Sequence, residues 1–229
     1  LTSKVLTRFG ITFSYVDMRD VKNVEAALQP NTRMIYTETP TNPMMTITDL
    51  AAVAEIARAN NAYMVVDNTF ASPYFQRPLE LGAHIVVHSA TKYLGGHSDL
   101  VSGIVTTNDA EVAEQLKFLQ NAVGAVPGPF ECWLLLRSSK TLAVRMERHA
   151  ANAQRIAEYC QQHPAIKATH YPGLPLHPQH EIAKRQMSGF GGMISIELGS
   201  LERATAVTKK LKLFTLAESL GGVESLVCH

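Results

Sequence analysis

The 229-residue sequence lacks several features that would assign a class at once. Its three cysteines, Cys132, Cys160 and Cys228, lie far apart, and no CxxC pair occurs. That argues against a disulfide scaffold or a zinc site and for a reducing compartment, taken here as the cytoplasm. Charge of one sign is lacking too: 21 Lys and Arg against 20 Asp and Glu leave a formal net charge of +1. With no basic patch and no acidic tail, neither nucleic acid nor an acidic membrane surface is an expected partner. No apolar run approaches the ~20 residues a membrane span needs, and no signal peptide is visible. A G-x-x-x-x-G-K-[ST] loop is missing, which removes a nucleotide hydrolase of the P-loop kind. His84 and His88 have i, i+4 spacing but bracket a strand, and no carboxylate completes a ligand set, so no metal is expected. Internal repeats and low-complexity tracts are also lacking.

What is present is enough apolar material, 46% of the residues, to build a sizeable core. Short β-rich runs at Met34–Tyr36, Tyr63–Val66, Ile85–Val87 and Ser102–Thr106 alternate with helical patterns at Val21–Leu28, from Thr48 or Asp49 to Asn60, and at Ala110–Asn121. Alternation of this kind implies an α/β fold with a mostly parallel sheet and helices on both faces. One long helix is expected from Glu131 to about Tyr159. Beyond it, strands at Ile166–Thr169, Gly191–Leu198 and Leu213–Leu216 and a helix at Leu201–Lys210 predict a smaller α+β unit. The boundary is placed near residue 140, giving 1–140 as the large domain and 141–229 as the small one.

Two residues stand where strands end. Lys92 follows the strand at 85–87 inside His88-Ser89-Ala90-Thr91-Lys92-Tyr93 and precedes Gly95-Gly96. In α/β proteins the carboxyl ends of strands open the binding crevice. An amine held there among hydroxyls and glycines suits imine formation with a carbonyl more than a surface ion pair. Asp67 ends the strand at 63–66. An amine and a carboxylate at two strand ends are the protein groups that pyridoxal 5′-phosphate (PLP) needs, one for its aldehyde and one for its ring nitrogen. The plainer alternatives, a loop lysine and a turn aspartate in Asp67-Asn68, stay open on the residues alone. Asn42 lies between Pro40 and Pro43, held firmly enough to present its amide to a ligand or simply to shape a turn.

Four motifs carry a resemblance. Tyr36-Thr-Glu-Thr-Pro-Thr-Asn-Pro43, Val65-Val-Asp-Asn-Thr-Phe70, His88-Ser-Ala-Thr-Lys-Tyr-Leu-Gly-Gly-His-Ser-Asp99 and Ala217-Glu-Ser-Leu-Gly-Gly-Val-Glu-Ser225 occur in order along the chain. Together they resemble the trans-sulfuration (Cys/Met metabolism) PLP-dependent enzymes, and within them the γ-lyase branch. The resemblance implies the aspartate-aminotransferase-like, type I fold. It implies a cytoplasmic homotetramer, a dimer of dimers with shared active sites, acting on a small amino-acid substrate. It further implies Lys92 as the catalytic, cofactor-bearing lysine, Asp67 as the partner of the ring nitrogen, Ser89 and Thr91 as phosphate ligands, and Asn42 as a contact to the cofactor's ring oxygen and to substrate. Ser219 and Glu218 are implied on the substrate side. The implied activity is α,γ-elimination of L-cystathionine to cysteine, 2-oxobutyrate and ammonia. Alternatives are γ-replacement on an O-acyl-homoserine, elimination from methionine, and β-elimination from cystathionine. The family's N-terminal tyrosine and phosphate-loop elements and its C-terminal carboxylate-clamping arginine find no match between residues 1 and 229, so the chain is expected to be an incomplete record of such an enzyme.

Overall fold

The computed structural model describes residues 2–229. β1 (Met34–Glu38), β2 (Tyr63–Asp67) and β3 (Ile85–Ser89) are parallel neighbours, and β4 (Gly103–Thr107) runs antiparallel to β3. Register sets Glu38 beside Asp67 and Asp67 beside Val87. The carboxyl ends of the three parallel strands therefore open together.

Helices α1 (Val21–Ala27) and α2 (Leu50–Ala59) cover one face of this sheet. Asp49 starts α2 by accepting the Ala52 N–H at 3.2 Å, which satisfies one otherwise unpaired amide of the first turn. Leu50, Val53, Ala54 and Ala57 then form one buried stripe against Ile35, Met64, Val66 and Val86. The Leu, Val, Ile and Met side chains among them contribute roughly 1.5–3 kcal/mol each when fully buried. Asp109 caps α4 (Ala110–Val123) in the same way, accepting from the N–H groups of Glu111 and Val112. A single turn, α3 (Ser72–Phe75), follows β2.

The helix expected from Glu131 to about Tyr159 is two helices, α5 (Pro129–Ser139) and α6 (Leu142–Gln162). The break has a local cause. The Ser138 carbonyl accepts from both the amide and the hydroxyl of Thr141, and from the Arg145 guanidinium. It is thereby diverted from the i+4 amide that would continue the helix.

Beyond α6, β5 (Ala168–His170) pairs antiparallel with β6 (Ser195–Glu197). The strand expected over Gly191–Leu198 is shortened to this piece. Gly191 sits at φ 77°, and its carbonyl accepts from the Tyr171 hydroxyl at 3.0 Å, so the backbone there cannot join a ladder. A helix that the sequence pattern did not suggest, α7 (His180–Gln186), lies between them. Side-chain amides tie it to the start of α2 and to the residue after α3: Gln186 donates to the Thr48 carbonyl and to Gln76, each at 3.0 Å, and accepts from the Leu50 N–H at 3.2 Å. Gln76 in turn donates to Asn68 at 2.8 Å and to the Thr39 carbonyl at 3.0 Å. Helix α8 (Leu201–Thr208) and the parallel pair β7 (Thr215–Leu216) and β8 (Leu226–Val227) complete the described structure.

Candidate active site

Asp67 closes β2 with an Asx-type turn. One carboxylate oxygen accepts from the Thr69 N–H at 3.0 Å and from the Thr69 hydroxyl at 2.6 Å. Among the described residues the other receives only a long bond, 3.4 Å, from the Tyr36 phenol. Partial burial, then the charge of Asp67, pushes the Tyr36 phenol up to about 12, so it stays a proton donor. Glu38, level with Asp67 on β1, is pushed up by burial and by Asp67, against the stabilising N–H of Asn42. His88 lies buried one strand over. Desolvation pulls its ring down to about 4 despite the neighbouring Asp67 charge, so it is neutral at pH 7.

Thr69 also bridges to the lysine side of the site. Its hydroxyl oxygen accepts the Ser89 N–H at 2.8 Å, which locks the end of β3 to the Asp67 turn. The chain then coils tightly. Lys92 N–H donates to the Ser89 carbonyl at 3.1 Å, Gly95 N–H to Ala90 O at 2.7 Å, and Gly96 N–H to Lys92 O at 2.7 Å. Lys92 Nζ donates to Ser219 Oγ at 2.8 Å and meets no carboxylate in an ion pair among the described residues.

Ser219 reaches Lys92 from the 217–222 segment, and the backbone there is specialised. Ser219 has φ 82°, uncommon for a residue with a Cβ. Gly221 has φ 80° and lies on the backbone of Lys92 and Tyr93, with no room for a Cβ. Leu220 packs on Phe75, Tyr93 and Met146. Glu218 is exposed, with no hydrogen bond or ion pair among the described residues.

The expected site residues thus divide. Lys92, Ser89, Asp67 and Ser219 are joined by direct or one-residue bridges. Asn42 is exposed and enters only through its N–H to Glu38, between the cis peptides Thr39–Pro40 and Asn42–Pro43. Thr91 is engaged elsewhere: its hydroxyl donates to Ser102 O at 3.3 Å and accepts Ser102 N–H at 3.0 Å. Its one proton is spent on the backbone, whereas the Ser89 hydroxyl has no hydrogen-bond partner among the described residues. Thr69 and Tyr36 were not singled out from sequence. The Asp-x-Thr spacing that makes an Asx turn was the signal available for Thr69; nothing local marks Tyr36.

These groups could hold PLP. An amine without a counter-ion, a carboxylate oxygen nearly free to take a ring N–H, and an uncommitted hydroxyl at a strand end are the donors and acceptors that the cofactor's aldehyde, ring nitrogen and phosphate require. Among the described residues, no three His, Cys, Asp or Glu side chains are grouped to hold a metal.

Comparison with known proteins agrees with this donor set. The family model described as "Cys/Met metabolism PLP-dependent enzyme" matches residues 1–229. The chain is similar to the cystathionine gamma-lyase of Bacillus subtilis (strain 168), 55% identical over 98% of the chain and 59% of the relative. It is similar to the cystathionine beta-lyase of Lactococcus lactis subsp. cremoris (strain MG1363), 54% identical over 99% of the chain and 60% of the relative. A cystathionine gamma-synthase of Mycobacterium tuberculosis (strain ATCC 25618 / H37Rv) is 52% identical over 100% and 59%. Among solved structures, a cystathionine gamma-lyase from Lactobacillus plantarum complexed with L-serine superposes with a TM-score of 0.97 at 51% identity, over 99% of this chain and 60% of that one. The chain spans about three fifths of the length of the relatives it matches.

Proposed function

The chain belongs to the Cys/Met metabolism PLP-dependent enzymes, and on that premise we propose that it serves the α,γ-elimination of L-cystathionine to cysteine, 2-oxobutyrate and ammonia. Its fold is the α/β fold of that family, and PLP is the family's cofactor. Relatives at 52–55% identity carry three different activities, so identity alone does not choose among them.

The observation that supports cystathionine as the ligand is the position of Glu218. Its carboxylate is exposed and unpaired among the described residues, one residue before the Ser219 hydroxyl that touches Lys92 Nζ. A carboxylate one residue from the hydroxyl that contacts the reacting amine suits a substrate with a second, distal ammonium, as cystathionine has. Methionine and O-acyl-homoserines carry no such charge. Gamma-synthase and beta-lyase are the other readings, because cystathionine is the product of the first and the substrate of the second and needs the same recognition.

When bound, PLP supplies an electron sink for negative charge developing at the substrate's α carbon. The chain's own groups do the rest. We assign Lys92 Nζ to carrying the cofactor and to moving the proton at the α carbon, with the Ser219 hydroxyl aiming it. Asp67 keeps the ring nitrogen protonated; Thr69 and Tyr36 fix its carboxylate in place. Ser89 donates to the phosphate. Thr91 can join it only by releasing Ser102. Asn42 is assigned to the cofactor's ring oxygen and the substrate, held near by its link to Glu38.

We further propose residues 1–140 and 141–229 as a large and a small domain, in support of which the helix break falls at Lys140–Thr141. A cytoplasmic dimer of dimers is proposed as well, supported by the exposed Phe118, Phe130, Trp133 and Leu136 on α4 and α5. No helix is long and apolar enough to cross a membrane among the described residues.

The test is product analysis of the full-length, PLP-loaded enzyme with cystathionine, with an O-acyl-homoserine plus cysteine, and with methionine in parallel. The γ-lyase reading expects cysteine and 2-oxobutyrate from cystathionine as the fastest reaction. Homocysteine and pyruvate instead would make the enzyme a β-lyase. Turnover only with the homoserine ester would make it a synthase.

A further inference from the structure

Arg145, in the first turn of α6, is 8% exposed. A buried guanidinium is costly unless its N–H groups are satisfied, and it is ordinarily met by a carboxylate. Here all the partners are neutral oxygens. Nε donates to Thr141 Oγ1 at 3.0 Å, Nη1 to the Tyr93 carbonyl at 2.6 Å and Nη2 to the Ser138 carbonyl at 3.1 Å. Among the described residues it forms no ion pair. His149, one turn along α6, is disfavoured from adding a second positive charge, because burial and the guanidinium both lower its ring.

The bond to Tyr93 O has consequences, because Tyr93 directly follows Lys92. Gly96 presses on the same guanidinium with φ 67°, and a Cβ there would overlap Nη1 and Cζ. Gly96 N–H in turn donates to Lys92 O at 2.7 Å. The coil from Lys92 to Gly96 is therefore wound around one side chain that comes from a helix about fifty residues further along. Tyr93 itself is buried, with its ring edge against His149 at a centroid distance of 5.3 Å.

We propose that Arg145 is a positioning residue for Lys92: its planar fork sets the pitch of the Lys92–Gly96 coil, and so the direction in which Lys92 Nζ projects toward Ser219. This rests on the reading of Lys92 as the cofactor-bearing amine. A fork is needed because three donors at fixed angles must meet three separate oxygens, which an ammonium on a flexible stem does not reproduce.

The experiment uses the full-length, PLP-loaded enzyme and two variants. Arg145→Lys keeps the charge and loses the fork. Gly96→Ala crowds the guanidinium from the opposite side and leaves Arg145 in place. Each is read by hydrogen exchange, by the yield of borohydride-fixed pyridoxyl phosphate on the Lys92 peptide, and by kcat and KM separately. Arg145→Lys is expected to speed exchange at the 93–96 amides about tenfold, with α2 and β1–β2 unchanged. It should lower the Lys92 adduct yield and cost roughly ten- to hundredfold in kcat with little change in KM, the effect of a small misplacement of a reacting group. The left-handed backbone cost of Gly96→Ala is common to both backgrounds, so the two substitutions together should be clearly less damaging than the product of their single effects. Unchanged exchange and adduct yield in Arg145→Lys overturn the proposal, and so does faster exchange spread evenly over the protein. If Arg145→Lys does not fold, Gly96→Ala decides alone: wild-type exchange and turnover in that variant overturn the proposal, as does loosening of 93–96 that leaves the Lys92 adduct yield and kcat unchanged, and loosening together with a lowered adduct yield and kcat at similar KM sustains it. A wild-type enzyme with no adduct at Lys92 would instead remove the reading of Lys92 beneath it.

Discussion

At the carboxyl end of β2, Asp67 is followed by Asn68 and Thr69, both buried and both hydrogen-bonded through their side chains. Across the site, Glu218 and Ser219 stand exposed on a segment whose anchors are Leu220 and the backbone at Gly221. The first wall is cross-braced by Asn68, Gln76 and Gln186, three amides that join strand, loop and helix. The second leans on the Lys92 coil through one hydroxyl and one glycine. The difference teaches a division of labour. Groups assigned to the cofactor must hold one geometry for every substrate, and they sit where packing is dense. Groups assigned to substrate choice sit where little packing resists a change of residue, which fits relatives at similar identity carrying different activities.

Three substitutions test that division, the strongest first. Lys92→Ala should lower turnover about 10³-fold, in the range expected for removing a positioned proton-transfer group. The fold should survive, because among the described residues the Lys92 side chain makes only the one hydrogen bond, to Ser219. Circular dichroism and thermal melting check the fold, and coupled assay of 2-oxobutyrate checks the rate; near wild-type turnover would break the assignment. Next comes Asp67→Asn. It should weaken PLP binding and slow turnover roughly ten- to hundredfold, the equivalent of one to two pKa units at the ring nitrogen. Equilibrium dialysis of PLP together with initial rates measures both. Glu218→Val belongs to the other wall and should do something different in kind. The ratio of kcat/KM for cystathionine over methionine should fall roughly fivefold, since an exposed charge pair contributes about 1 kcal/mol. PLP content should not change. An unaltered ratio would mean that the exposed wall does not choose the substrate.

How much of this was legible in the sequence follows the same line. Strands ending in Asp67 and Ser89 could be read because β-branched runs stop at polar turn residues there. The start of α2, read at Thr48 or Asp49 and found at Asp49, was an equally local signal. What could not be read depends on side chains meeting across the fold. The break between α5 and α6 exists because Arg145 and Thr141 take the Ser138 carbonyl, and no periodicity reports such a capture. Helix α7 is seven residues long and is held by Gln186 contacts to residues 48, 50 and 76, so its own pattern is too weak to declare it. Thr91 looked equivalent to Ser89 in the motif, and only the bonds to Ser102 separate them.

The smallest effect at neutral pH concerns His88, and it belongs wholly to the packed wall. Its ring is 7% exposed, and burial pulls its pKa from about 6.5 to about 4. The unfolded chain therefore binds a proton in a range where the folded chain does not. Stability should be unaffected by this residue above pH 6.5. It should fall as the pH drops from 6.5 to 4 and level off below, by at most about 3 kcal/mol for a shift of this size. Glu38 works against it: burial raises its carboxyl, so the folded chain binds a proton before the unfolded one does and gains stability as the pH falls from that raised value to the ordinary carboxyl range. The two contributions separate in His88→Gln, which keeps a polar side chain and removes the titration. Urea midpoints of the full-length enzyme at pH 7 and pH 5 should differ less in this variant than in wild type, even if both of its values are lower. An equal pH slope in the two proteins would mean that the buried ring is relieved in some other way, for example by turning toward Asp67 and keeping its proton. In that case the packed wall would carry a charge pair that responds to pH at the catalytic centre itself, and the contrast between the two walls would lose its electrostatic half.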